Sequence, residues 1–244
     1  MDKKYDELLI LANKILENSS YSYFKNIIYK YFNWDNKNLD NIISRLIMID
    51  SLYSTNMSKR LYWLEDLRDF ILKLEKDHDI DNLTIEDFNK SILNKIIKEK
   101  LWIRKNWMEV WHALSLITKY LYFRKNYDFP IYDSLVENQI SKKWFINKKD
   151  YFTKLEKLKS ENNLKFDDLD KILWLSWKLK KWSFSWLLKN KDTYIIFIKE
   201  LWITENTKVN DTQLKEKFDT INSEHEFILD IKNFLENIKS LKLI

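Results

Sequence analysis

Lys119 and Asp133 are the residues of this chain whose types and spacing suggest chemistry. Both lie in TKYLYFRKNYDFPIYDS, residues 118–134, which also holds the single proline, Pro130. The neighbours of Lys119, namely Tyr120, Leu121, Tyr122 and Phe123, are largely apolar. An amine held among such groups loses proton affinity, because burial penalises its charged form, and it becomes a nucleophile. Pro130 biases Phe129 toward extended backbone and fixes the entry to a following helix. Asp133 or Ser134 then falls at that helix start, where a side-chain oxygen caps free N–H groups and the dipole stabilises a carboxylate. An amine and a capping carboxylate facing one cleft suit reaction at a sugar carbon that develops positive charge. Each residue also has a plainer role, Lys119 as a solvated helix lysine and Asp133 as a cap alone.

Composition removes several alternatives. The 244 residues include no cysteine, which excludes disulfides, thiolate metal sites and cysteine nucleophiles. The three histidines, His78, His112 and His225, are scattered, so no multi-histidine metal site and no cofactor are expected. No run of about 18 apolar residues suggests a membrane span, and the first residues do not read as a signal peptide. A cytoplasmic monomer is the expectation. A net charge of +5 and a pI near 8.9 fit either a lysine-rich surface or attraction to nucleic-acid phosphates.

The chain has no glycine, where average usage would give roughly 17. It has 11 tryptophans instead, several beside Lys, Ser or Asn in KLWIRKNWMEVWHAL and LSWKLKKWSFSWLL. Those are places where a turn or helix cap would take glycine. One reading is that UGA, which some bacteria decode as glycine, underlies many of them. The other is a helical protein that uses no glycine.

The elements that must position Lys119 and Asp133 read as helices. Apolar residues recur at three and four in DELLILANKILEN, LDNIISRLIMIDSLYS and KRLYWLEDLRDFILKLEKDHD. Thr84 with Asp87 forms a capping-box variant ahead of IEDFNKSILNKIIKEK, and Ser58 is a second candidate cap. WMEVWHALSLITKYLYF reads as one helix, followed by DSLVENQISKKW, KKDYFTKLEKLKSEN and FDDLDKILWLSWKLKK. KDTYIIFIKELW and the run from Thr212 complete the set, and no strand is convincingly signalled. The expected fold is all-α, with a multi-helix domain over residues 1–182 and a helical extension over 183–244.

With those residues in place, TK followed by PIYD resembles the helix–hairpin–helix DNA glycosylase superfamily, in its 8-oxoguanine glycosylase-like branch. There a TK lysine opens a helix, a short connection follows, and a P-[VI]-x-D segment brings an aspartate to the next helix start. The matching residues here are Thr118, Lys119, Pro130, Ile131, Tyr132 and Asp133. The resemblance covers about residues 40–180 and implies a base-excision enzyme acting on DNA, with Lys119 attacking the sugar carbon and forming a Schiff base. Asp133 would deprotonate the amine or stabilise the oxocarbenium-like state. It further implies substrate contacts from Tyr53, Ser54 and Thr55 in a polar turn. Tyr132 is a candidate for stacking on a base or a half-buried ring, and His112 a candidate for phosphate contact or packing. VWHALSLITK lacks the family's glycines. The second reading is therefore a non-catalytic helical module that keeps the fold and binds DNA or protein.

Overall fold

The computed structural model describes residues 3–17, 19–34, 41–53, 63–98, 102–105, 108–134, 136–137, 147–181 and 226–241. Its helices, in chain order, are α1 (Lys3–Leu16), α2 (Ser20–Trp34), α3 (Ile42–Tyr53) and α4 (Trp63–Asp77). A segment of α5 (Ile85–Asp87), a π-helical turn (Phe88–Ile92) and α6 (Leu93–Lys98) comes next. After β1 (Trp102–Lys105) and β2 (Met108–His112) follow α7 (Leu114–Arg124), α8 (Lys148–Glu161), α9 (Phe166–Lys181) and α10 (Glu226–Ser240).

The packed body is helical, as the periodicity indicates. One correction concerns the run from Trp107 to Phe123. Its first part is a strand, Met108–His112, paired antiparallel with Trp102–Lys105 and irregular between Ile103 and Arg104. The helix begins only at Leu114, so His112 ends a strand and is not two helical turns below Lys119. The pairing partner lies on another segment, and a helical period scored along one segment does not register it.

Helix α7 is the centre of the molecule. Apart from Ser115, its residues from Leu114 to Arg124 are buried. A helix that is apolar all round must be enclosed on every side. Phe32 of α2 meets Tyr120 edge-on at 5.5 Å and Phe123 at 5.6 Å. From α4, Glu75 binds Arg124 through a pair of hydrogen bonds of 3.0 and 3.3 Å. Phe88 of the π turn packs edge-on against Phe129 and Phe152, each at 5.0 Å. The stripe Tyr5, Leu8, Ala12 and Ile15 of α1 is buried at helical spacing, as is Ile231, Phe234 and Ile238 of α10. These two helices pack together, tied by a Lys14–Asp230 salt bridge of 3.0 Å.

Turns are made without glycine. Thr84 caps α5 as the sequence indicates, its hydroxyl accepting the Asp87 N–H at 3.1 Å. At the end of α7 the chain turns through Asn126 and Tyr127, with φ of 50° and 68°. The Tyr127 N–H donates to the Tyr122 carbonyl at 2.7 Å, closing the helix in the manner of a glycine C-cap. A tyrosine in this left-handed region costs about 1–2 kcal/mol. Stacking of its ring on Tyr29 at 4.8 Å offsets that cost. The third such residue is Asn163, φ 51°, after α8. None of the three is a tryptophan, so the backbone demands glycine at no described tryptophan. Trp174 instead packs on Tyr21 at 4.8 Å. Ser58 lies outside the described residues.

Candidate functional site

The site is built where α7, the segment after Pro130 and α9 converge. Thr118 locks the first two together. Its buried hydroxyl accepts the Tyr132 backbone N–H at 3.0 Å and donates back to the Leu114 carbonyl at 2.8 Å. The TK and PIYD segments are thus joined by one hydroxyl, and Asp133 is held one residue from the joint. Thr118→Val keeps the shape of the side chain but strands the Tyr132 N–H. The expected cost is about 1–3 kcal/mol, read as a lower urea midpoint at unchanged slope. An unchanged midpoint would mean that this joint does not hold the segment.

Asp133 starts a helical turn. Its carboxylate accepts the Val136 N–H at 3.4 Å and its carbonyl accepts the Glu137 N–H at 2.8 Å. Lys119 is 5% exposed and donates to the Ser115 hydroxyl at 3.0 Å. Burial pushes its amine below the ordinary value of 10.5, against the pull of Asp133, Asp170 and Asp50. Asp133 and Asp170 both line a small recess of about 20 Å³, whose other walls include Pro130, Tyr151, Phe166 and Leu173. An amine whose proton affinity is lowered by burial is of the kind that can form imines.

Comparison with family models, curated proteins and solved structures gave no match. The chemistry of the site therefore rests on its own groups.

The other sequence candidates fall as follows. Tyr132 is half-buried, donates to Glu137 at 2.7 Å and accepts from Lys148 at 2.5 Å. The Lys148 amine lies 4.6 Å from the centre of its ring, and Tyr151 packs on it edge-on at 5.3 Å. Tyr132 is thus engaged with its own chain. Tyr53 ends α3 and His112 ends β2. Ser54 and Thr55 lie outside the described residues. No group of His, Asp and Glu among the described residues is placed to hold a metal ion. No described helix is long and apolar enough to cross a membrane.

The sequence reading passed over a polar network that flanks the site. Lys25 of α2 is salt-bridged to Asp167 of α9 and donates to the Tyr21 hydroxyl at 3.0 Å. Its amine sits about 5 Å from the ring centres of Tyr21, Tyr122 and Tyr127 (4.9, 5.1 and 5.1 Å), a cation–π box. Tyr122 of α7 donates to Asp167 at 2.5 Å, and Lys171 pairs with it at 3.0 Å. Burial works against the Asp167 carboxylate, but Lys25, Tyr122 and Lys171 hold its pKa down to about 2. Tyr21 donates to Asp170. The signals for this network were spacings, Tyr21 to Lys25 at i, i+4 and Asp167 to Asp170 at i, i+3, each of which places two residues on one helix face.

Proposed function

We propose that this protein carries a Schiff-base-forming lysine, Lys119, and acts as a DNA base-excision glycosylase with abasic-site lyase activity. The observation that carries the reading is the burial of the Lys119 amine, 5% exposed, which lowers its proton affinity against the pull of Asp133, Asp170 and Asp50. Only a neutral amine attacks a carbon electrophile, and burial keeps Lys119 in that form at lower pH than an exposed lysine. Asp133, at its helix start, is the carboxylate for the positive charge that builds on the sugar carbon. The order of Thr118, Lys119, Pro130 and Asp133, with the net charge of +5, is what points to DNA.

Lys25 supplies an internal comparison, because it is equally buried but salt-bridged to Asp167 and boxed by tyrosine rings. The test is borohydride reduction of the full chain mixed with a duplex holding one abasic site, with the adduct mapped by peptide mass spectrometry. The expected adduct is on the peptide holding Lys119. An adduct only on Lys25 or at the N-terminus, or no adduct, would overturn the lyase. The 5% exposure of Lys119 favours a second reading, a helical DNA-binding module without chemistry. That module would bind the duplex in a salt-dependent way and leave it unmodified.

A further inference from the structure

We propose that Ser115 and Lys119 form a serine–lysine pair, in which the Ser115 hydroxyl is a nucleophile toward ester-type acyl groups and the Lys119 amine is its general base. The inference goes beyond the imine reading, because it gives the same amine a different role and needs no DNA.

Ser115 and Lys119 stand four residues apart on α7, on one face and one turn from each other. Long side chains on a helix lean toward its N-terminus, so the Lys119 stem carries its amine back onto Ser115. The contact is 3.0 Å, within reach for direct proton transfer. The two groups differ in access. Lys119 is 5% exposed, whereas Ser115 is the one residue of α7 that is not buried. The amine lies behind the hydroxyl, and an incoming group meets Ser115 first.

Other hydroxyls on the helices are engaged differently. Ser91, Thr118, Thr153, Ser160 and Ser176 each donate to the carbonyl four residues back, the ordinary bond of a hydroxyl within a helix. Ser115 instead meets an amine. Burial lowers the proton affinity of that amine, while Asp133 after Pro130, Asp170 of α9 and Asp50 of α3 pull the other way. A neutral amine at this distance accepts the hydroxyl proton and activates the oxygen. Ser115 also stands in the first turn of α7, where backbone N–H groups have no acceptor within the helix and Ala113 adds no side-chain cap. Those N–H groups are the donors for an oxygen that develops charge during acyl transfer.

The Lys119 lone pair takes the Ser115 proton as Oγ bonds to the ester carbon and the carbonyl π pair moves to oxygen. The π bond then re-forms, the bond to the leaving oxygen breaks, and that oxygen takes the proton from Lys119. The products are an acyl ester of Ser115, one alcohol and a neutral amine, so charge and atoms balance. Water repeats the two steps on the acyl ester, releasing a carboxylic acid and restoring the hydroxyl.

The test treats the full chain with a fluorophosphonate, which reacts with activated serines by loss of fluoride, and maps the adduct by peptide mass spectrometry across a range of pH. The expected adduct is on the Ser115 peptide, forming faster as pH rises and Lys119 loses its proton. The exposed Ser160, bonded to a carbonyl, is the reference and is expected to stay unlabelled. Ser115→Ala is expected to abolish the adduct, and Lys119→Gln to slow it by about 10²-fold, the size of one general base. No adduct on Ser115, or one that forms at the parent's rate in Lys119→Gln, overturns the proposal. If Lys119→Gln does not fold, Ser115→Cys replaces it. The introduced thiol is expected to react with iodoacetamide with a midpoint below the ordinary thiol value of about 8.5, and a midpoint at or above that value overturns the pair. A labelled Ser115 with no trapped abasic duplex keeps the pair and removes the glycosylase. A duplex trapped on Lys119 with Ser115 unlabelled does the reverse.

Discussion

Lys119→Gln is expected to abolish the borohydride-trapped adduct while leaving the chain folded. Glutamine keeps the stem of the side chain and a donor for the Ser115 hydroxyl, but it has no lone pair free to attack a carbon. The loss is therefore of the reacting atom itself, and the expected effect is complete. A change in stability with pH accompanies it, and its sign follows from the direction of the shift. Burial lowers the proton affinity of the amine in the folded chain, whereas the unfolded chain keeps its proton up to about 10.5. Just below 10.5 the unfolded state therefore binds more protons, and the parent's stability rises with pH there. Lys119→Gln removes that rise. Thermal unfolding from neutral pH to about pH 10 measures it, parent against variant. A variant with the same slope as the parent would mean that the amine is not depressed. An adduct that survives the substitution would place the chemistry on another amine, and Lys25 would be the first to replace.

Why the stretch holding Lys119 and Asp133 stood out in the sequence while the residues packed around it did not is a matter of how burial appears in a pattern. FDDLDKILWLSWKLKK is α9 from end to end, because its apolar residues recur at helical spacing behind two acidic residues that suit an N-terminus. Helix α2 escaped notice because a lysine stands within its buried stripe. Tyr21, Lys25, Ile28 and Phe32 are all buried at helical spacing. An amine in the second position makes the stripe look interrupted. Asp167 and Asp170 likewise carry no sequence sign of a partner, although they meet Lys25 and Tyr21 across the helix pair. The π-helical turn at Phe88–Ile92 carries no separate signal, since one wide turn leaves the apolar pattern on either side intact. Local capping at Thr84 was legible because cap and target are three residues apart. Partners far apart in the chain were not: the Lys25–Asp167 bond spans 142 residues.

The tertiary device that fixes α7 gives the largest expected loss of stability. Arg124 and Glu75 are each 7% exposed at the side chain, and Arg124 also reaches the more exposed Asp81 at 2.7 Å. Arg124→Met takes away the fork that neutralises Glu75 and leaves a buried carboxylate without its cation. Such a break costs about 3–5 kcal/mol, far more than loss of an exposed pair. Glu75 also accepts from the Tyr120 hydroxyl at 3.2 Å, so its replacement must keep an acceptor there. Glu75→Gln does, and it removes the charge. The double variant Arg124→Met with Glu75→Gln is therefore expected to recover most of the loss seen in Arg124→Met alone, since neither ion remains to be buried unpaired. Urea denaturation of the four chains of this cycle measures the coupling between the two residues. Additive losses would show that the pair does not act as a unit. Recovery in the double variant would instead show that the buried charge, and not the packing of Arg124, holds the end of α7. Lys119 lies little more than one helical turn before Arg124, so the same four chains also indicate how firmly α7 must be seated for its amine to react. Trapping on the abasic duplex is expected to fall in Arg124→Met and to return with stability in the double variant.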